Sequence, residues 1–135
     1  MKHLLLLDDE DVFNFIHHQV IASVDPAVKI SETTSGEQAL EFLRVRAGLT
    51  EALPDVVLVD INMPEINGFE FLTIYEREIE ALLPLKPKIY MVTSSLFESD
   101  REKASRFKSV SGFLEKPISA PNIREIMATT ENQRK

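Results

Sequence analysis

The stretch DVVLVDINMPEINGFEF, residues 55–71, decides how this chain reads. Four apolar residues, Val56 to Val59, run straight into the carboxylate of Asp60, and Pro64 and Gly68 follow in what must be loop rather than core. A short continuous apolar run is the mark of a strand buried on both faces. A strand that ends on a lone acid presents that acid where its sheet ends.

Outward from this strand the chain alternates. HLLLL (3–7) is a second continuous apolar run, and AVKIS (27–31) and KIYMVTS (88–94) are further strands, with SGFLEKP (111–117) a short last one. Between them lie helical segments. EDVFNFIHHQVIASV (10–24) places Phe13, Ile16, Val20 and Val24 at helical spacing, and Asp25-Pro26 stops it. TSGEQALEFLRVR (34–46) opens on a Ser35 cap with Gln38 three residues on, and stacks Ala39, Leu40 and Leu43 until Gly48 ends it. GFEFLTIYEREIEALL (68–83) keeps Phe71, Leu72, Tyr75 and Ile79 in step up to Pro84. SDREKASRF (99–107) is a polar helix, and APNIREIMATT (120–130) carries Pro121 in its first turn. AGLTEALP (47–54) is a surface loop, and the tail from residue 131 is expected to fray. Five strands alternating with five helices specify a parallel sheet covered on both faces, one domain over residues 1–135.

Composition narrows the function classes. The chain has 135 residues, no cysteine and a net charge of −7. Thiolate chemistry and Cys-ligated metals are excluded, and the acidic balance argues against a nucleic-acid surface. MKHLLLLDDED is too short and wrongly flanked for a signal peptide, and no apolar run nears the ~20 residues that span a bilayer. A cytoplasmic protein with no membrane partner is expected.

In open α/β sheets, ligands sit beyond the carboxyl ends of the strands. Here those ends carry Asp8-Asp9, Asp60, Thr93-Ser94 and Lys116-Pro117, all on one edge. The second strand ends in Glu32-Thr33-Thr34, to which no role is assigned. Crowded carboxylates repel one another unless a cation sits among them, so this cluster is expected to be strained when empty. Carboxylate oxygens with water suit Mg²⁺. A nucleophilic carboxylate, Mg²⁺, a lysine and a threonine are what phosphoryl transfer requires, and aspartyl phosphate is a known covalent intermediate. Asp60 is therefore the candidate phosphoacceptor.

Taken singly these features are weak. An acid pair at a helix start also favours the helix dipole, and an Asp before a Pro-Gly loop is often a turn former. The four segments LLLLDDE, VVLVDINMPEINGFEFL, IYMVTSS and GFLEKPI, standing in this order over nearly the whole chain, are specific. In that combination the chain resembles the response-regulator receiver domain of two-component signalling, the CheY-like type, here in stand-alone form. The resemblance implies a doubly wound (βα)5 fold, flavodoxin-like, with strand order 2-1-3-4-5. It implies Asp9 as the principal Mg²⁺ ligand, Asp8 holding metal-bound water, Asp60 as acceptor and ligand, and the carbonyl of Asn62 as a further ligand. Thr93 would hydrogen-bond the phosphoryl group, Lys116 would ion-pair with it, and Lys116-Pro117 would be cis. A histidine kinase or histidine phosphotransfer protein would donate the phosphoryl group. The response would pass to a downstream protein through the face of the fourth helix, fifth strand and fifth helix, with Thr93 and Phe113 as switch pair.

Some positions depart from the family. Phe113 stands where a tyrosine is frequent, so it has no hydroxyl to offer Thr93. Ser94 is small and leaves the acceptor open. Asn62 and Ser95 occupy positions that tune dephosphorylation. His17 and His18 point ~100° apart on a helix and cannot share one ion; with His3 they are expected to be ordinary surface or boundary residues. Phe15 lies off the apolar stripe and is expected to be exposed.

Two other classes compete. A small Mg-dependent hydrolase of the haloacid dehalogenase type would also use an aspartyl nucleophile, but wants a second Asp two residues on, where this chain has Asn62, and a cap insertion. A flavodoxin-like FMN carrier would need aromatic flavin stackers and a phosphate-binding loop. A receiver is not an enzyme in the turnover sense; it takes phosphate once and releases it slowly.

Overall fold

A computed structural model describes residues 1–94 and 97–133. Five strands, β1 (His3–Leu7), β2 (Lys29–Thr33), β3 (Val56–Asp60), β4 (Lys88–Thr93) and β5 (Val110–Glu115), form one parallel sheet in the order β2-β1-β3-β4-β5. The helices are α1 (Asp11–Val24), α2 (Gly36–Val45), α3 (Gly68–Ile74), α4 (Glu98–Ser105) and α5 (Ala120–Gln133).

Alternation along the strands builds two cores. Leu5, Leu7, Val57, Val59, Ile89 and Met91 face α2 and α3 on one side, whereas Leu4, Leu6, Val56, Leu58 and Val92 face Ile21 of α1 and Ile123 and Ile126 of α5 on the other. Every residue of β1 and β3 is buried, as continuous apolar runs require of central strands. No helix among the described residues is long and apolar enough to cross a membrane.

Several boundaries and faces differ from the sequence expectation. Strand β2 lies two residues later than AVKIS and includes Glu32 and Thr33, whose hydroxyl donates to the Leu6 carbonyl at 2.9 Å. Four of its five residues are exposed or half-buried, as on an edge strand, which carries little apolar signal. Helix α1 turns Asn14, His17 and Ile21 inward, leaving Phe13, Ile16, Val20 and Val24 half-buried at its flanks. The third helix changes its hydrogen bonding after Ile74, passing through a π-helical turn at Tyr75–Ile79 and a 3₁₀ turn at Glu80–Leu82, although its four expected core residues are all buried. AGLTEALP holds a 3₁₀ turn at Thr50–Ala52 and buries Leu53. Helix α5 continues to Gln133, and residues 134–135 of the tail lie outside the described residues.

Caps fix the helix starts. Ser35 Oγ accepts from the Gln38 amide at 3.1 Å, and Asn67 and Glu70 form a reciprocal capping box at α3. One glycine sets the distance from α3 to the end of β3: a Cβ on Gly68 would stand 2.7 Å from the Asp60 carbonyl oxygen and 2.9 Å from Ile61 Cα.

Candidate functional site

The topology delivers the acids to one edge. Strands β1 and β3 are neighbours, so Asp8-Asp9 and Asp60 emerge side by side, and β4 and β5 bring Thr93 and Lys116 to the same end. Oxygens of Asp8, Asp9 and Asp60 lie within 4.8 Å of one another. Asp8 and Asp60 are buried, at 4% and 2% exposure, although both are carboxylates.

Lys116 compensates them. Its ammonium stands 2.7 Å from Asp8 Oδ2 and 3.3 Å from Asp60 Oδ2, and lies 4.2 Å above the centre of the Phe13 ring. The Lys116-Pro117 peptide bond is cis, as expected. Asp60 Oδ1 accepts the Asn62 amide at 3.2 Å, and Asn62 Nδ2 donates to the buried Thr93 Oγ1 at 3.3 Å. Burial, reinforced by the Asp8 charge, pushes the Asp60 carboxyl up to about 7, with Lys116 pulling the other way. The strain expected of the acid cluster therefore falls on Asp60.

Asp9 Oδ1 is buried with no hydrogen-bond partner among the described residues, and the buried Asp60 Oδ2 has the Lys116 ammonium beside it at 3.3 Å but no well-aligned hydrogen bond. A burial that leaves acceptors unmet is costly. Three converging carboxylates, with open acceptor capacity on Asp9 and Asp60, fit a hard divalent cation, which takes oxygen ligands only.

The expectation that the histidines sit at the surface or boundary is wrong for two of the three. His3 and His17 are buried, at 5% and 3% exposure. His3 Nε2 pairs with Ser31 Oγ at 2.8 Å, far from the acids at the other end of β1. His17 Nε2 accepts the backbone N–H of Ile118 at 3.1 Å, and burial holds its pKa down to about 4. Only His18 is at the surface, 2.9 Å from Glu32. Nor did the apolar stripe point to Asn14, whose Nδ2 donates to the Asp8 carbonyl at 2.9 Å. The available signal was two polar residues, at positions 14 and 17, three apart and so on one face of the helix. Phe15 is exposed, at 65%. Ser94 is exposed beside Thr93, and Ser95 lies outside the described residues. Phe113 is half-buried, with the Arg101 guanidinium 5.2 Å from its ring centre.

The family model described as the response regulator receiver domain matches residues 4–128. This chain belongs to that family. It is 30% identical over 128 residues to the two-component response regulator ORR1 of Oryza sativa subsp. japonica, covering 93% of this chain and 54% of that protein. The chain thus spans about half the length of this curated relative. It is 26% identical to the probable methanogenesis regulatory protein FilR2 of Methanothrix harundinacea, over 90% of this chain and 76% of that one. Among solved structures, a two-component response regulator from Cytophaga hutchinsonii superposes with a TM-score of 0.89 at 27% identity, covering 98% of each chain. The receiver domain is a phosphoacceptor module of two-component signalling, and such modules interact with histidine kinases or phosphotransfer proteins. The haloacid dehalogenase alternative finds no support.

Proposed function

We propose that Asp60 is the residue that takes the phosphoryl group, and that Asp8, Asp9, Asp60 and the carbonyl of Asn62 hold Mg²⁺ beside it. The observation that carries this is the buried Asp60 carboxylate, which has an oxygen within 4.8 Å of those of Asp8 and Asp9 and its Oδ2 3.3 Å from Lys116 Nζ. In the transfer, an Asp60 oxygen bonds to the phosphorus of a phosphohistidine. The P–N bond breaks, and its electron pair returns to the imidazole of the donor. The product is a mixed anhydride on Asp60. Bound at these carboxylates, Mg²⁺ would neutralise charge on the transferring oxygens. Lys116 lies within reach of the same oxygens and exchanges its carboxylate partners for them. Thr93 supplies a hydroxyl at the neighbouring strand end. The chain catalyses only this modification of itself and its slow dephosphorylation, in which water takes the phosphoryl group and Asp60 is restored.

The donor is a sensor histidine kinase or a histidine phosphotransfer protein, and the output is a protein docking on the face of α4, β5 and α5. The net charge of −7 disfavours nucleic acid as a direct partner, and the setting is cytoplasmic. Mass spectrometry after incubation with acetyl phosphate and Mg²⁺ tests this reading. One phosphate per molecule, located at Asp60 and blocked by chelator, is expected. Labelling of Asp60→Asn at the wild-type rate would overturn it.

A further inference from the structure

One turn of α1 touches the site from three directions. The Phe13 ring lies against Lys116 Nζ at 4.2 Å. Asn14 Nδ2 holds the main-chain carbonyl of Asp8 at 2.9 Å. His17 Nε2 accepts the Ile118 amide at 3.1 Å, two residues beyond Lys116 and 101 positions from His17 in sequence. Asn14 and His17 are 2% and 3% exposed, so neither bond competes with water. They sit three apart on one helical face. Asn14 thus grips the loop that carries Asp8 and Asp9, while His17 grips the loop that carries Lys116.

The His17 bond has a definite sense. An amide N–H can only donate, so Nε2 carries no proton and the imidazole proton is on Nδ1. A buried polar side chain on the core face of a helix is costly without such a partner. An apolar residue at position 17 would pack there at no such cost, and would leave the Ile118 N–H orphaned.

Resting on Asp60 as acceptor, we infer that Asn14 and His17 are positioning residues that bind the β1–α1 loop and the β5–α5 loop to one rigid helix face. They fix Lys116 relative to the acidic cluster. Because Asp8 and Asp9 sit in one loop and Lys116 in the other, the helix sets the spacing between the cation-binding carboxylates and the ammonium that must meet the phosphoryl group. Transfer rates are sensitive to displacements on the order of 1 Å. The clamp's Asn14 half acts on cation binding and its His17 half on the rate of transfer once donor and cation are bound; neither acts on donor binding.

The test has two arms. In wild-type protein labelled with ¹⁵N, NMR should show a through-hydrogen-bond coupling between the Ile118 amide nitrogen and His17 Nε2, with His17 in the Nδ1–H tautomer. A proton on Nε2 would overturn the clamp without any variant being made. In the second arm, acetyl phosphate labels wild type, His17→Leu, His17→Gln and Asn14→Leu at saturating Mg²⁺. His17→Leu should lower the maximal rate about tenfold at unchanged donor KM. His17→Gln, whose carbonyl can accept the Ile118 N–H, should recover to within about threefold of wild type. Asn14→Leu, which frees the Asp8 loop, should weaken Mg²⁺ binding by calorimetry about tenfold. Folded His17→Leu protein at the wild-type rate, or His17→Gln as slow as His17→Leu, overturns the inference. Wild-type protein that takes no phosphate at Asp60 overturns instead the reading on which it rests.

Discussion

The Lys116 ammonium stands 2.7 Å from the Asp8 carboxylate, with side-chain exposures of 3% and 5%. A buried pair of this kind adds little net stability, but removing one member leaves a buried charge uncompensated. Lys116 also faces Asp60, so Lys116→Met strands two carboxylates. In chelator at pH 8 this variant should lose about 3 kcal/mol in urea melts. The loss should shrink at pH 5, where Asp60 can take a proton. A variant more stable than wild type at pH 8 would show that desolvation outweighs the ion pairs.

Asp60→Asn should have the opposite sign. The Asp60 carboxyl is raised from 3.8 to about 7 by burial and the Asp8 charge. The folded state therefore holds this proton more tightly than the unfolded one. The corresponding stability is fully present below pH 4 and lost as pH rises through 7. Above pH 7 the ionised side chain is a burden that asparagine lacks, so in chelator at pH 8 the variant should be more stable by about 2 kcal/mol. The advantage should vanish near pH 4. Equal stability of the two proteins at pH 8 would remove the strain from the acceptor.

His17 slopes the other way. Its pKa falls from 6.5 to about 4, for which burial is the main cause, with Asp8 raising and Lys116 lowering it. The unfolded chain binds the proton first, so stability is lost as pH falls from 6.5 through 4. In wild type this loss and the gain from Asp60 offset each other over that interval. Asp60→Asn should therefore lose stability steeply in acid, by about 2–3 kcal/mol between pH 6.5 and 4. Adding His17→Gln should flatten the curve. A slope unchanged by the second substitution would place the titration elsewhere.

Mg²⁺ should stabilise the wild type, since the three carboxylates converge only in the folded chain. At a hundredfold excess over its Kd the increment is about 2.7 kcal/mol. Asp9→Asn removes a buried oxygen that has no hydrogen-bond partner among the described residues, and should lose most of that increment. Thermal melts with Mg²⁺ and with chelator decide the matter.

Thr93 Oγ1 is held by Asn62 Nδ2 in this state, while Phe113 sits half-buried beside Arg101. A phosphoryl mimic that draws Thr93 towards Asp60 should let Phe113 turn inward and bias the α4–β5–α5 face between two arrangements. Beryllofluoride should shift NMR signals across residues 97–118, and Phe113→Ala should confine the shifts to the acidic edge. Confinement in wild type would remove Phe113 from the switch.

The sheet was legible because its central strands are buried on both faces and spell it out in unbroken apolar runs, HLLLL and VVLVD. Strand β2 was placed two residues early because an edge strand with four of its five residues exposed or half-buried has no such run. The edge residues Asp8, Asp9, Asp60, Thr93 and Lys116 were found because each ends a strand or stands within two residues of its end. Asn14 and His17 were missed because hydrophobic periodicity counts only apolar side chains. Their place inside is secured by hydrogen bonds to Asp8 and Ile118, and Ile118 is too distant in sequence for any local pattern to show. The Asp8–Lys116 pair was hidden similarly, since neither position alone says which carboxylate a lysine will choose.

Gly68 has a consequence for how this chain tolerates substitution. Its missing methyl is the clearance between α3 and the backbone at Asp60 and Ile61, and neither neighbour can step aside. A saturation library at position 68, sorted only for soluble folded protein, should return glycine almost alone. The same library at Asp60 should return several residues, asparagine foremost, and collapse to aspartate only when phosphorylation is also demanded. Eight positions apart, the two sites would separate what the architecture forbids from what the chemistry forbids.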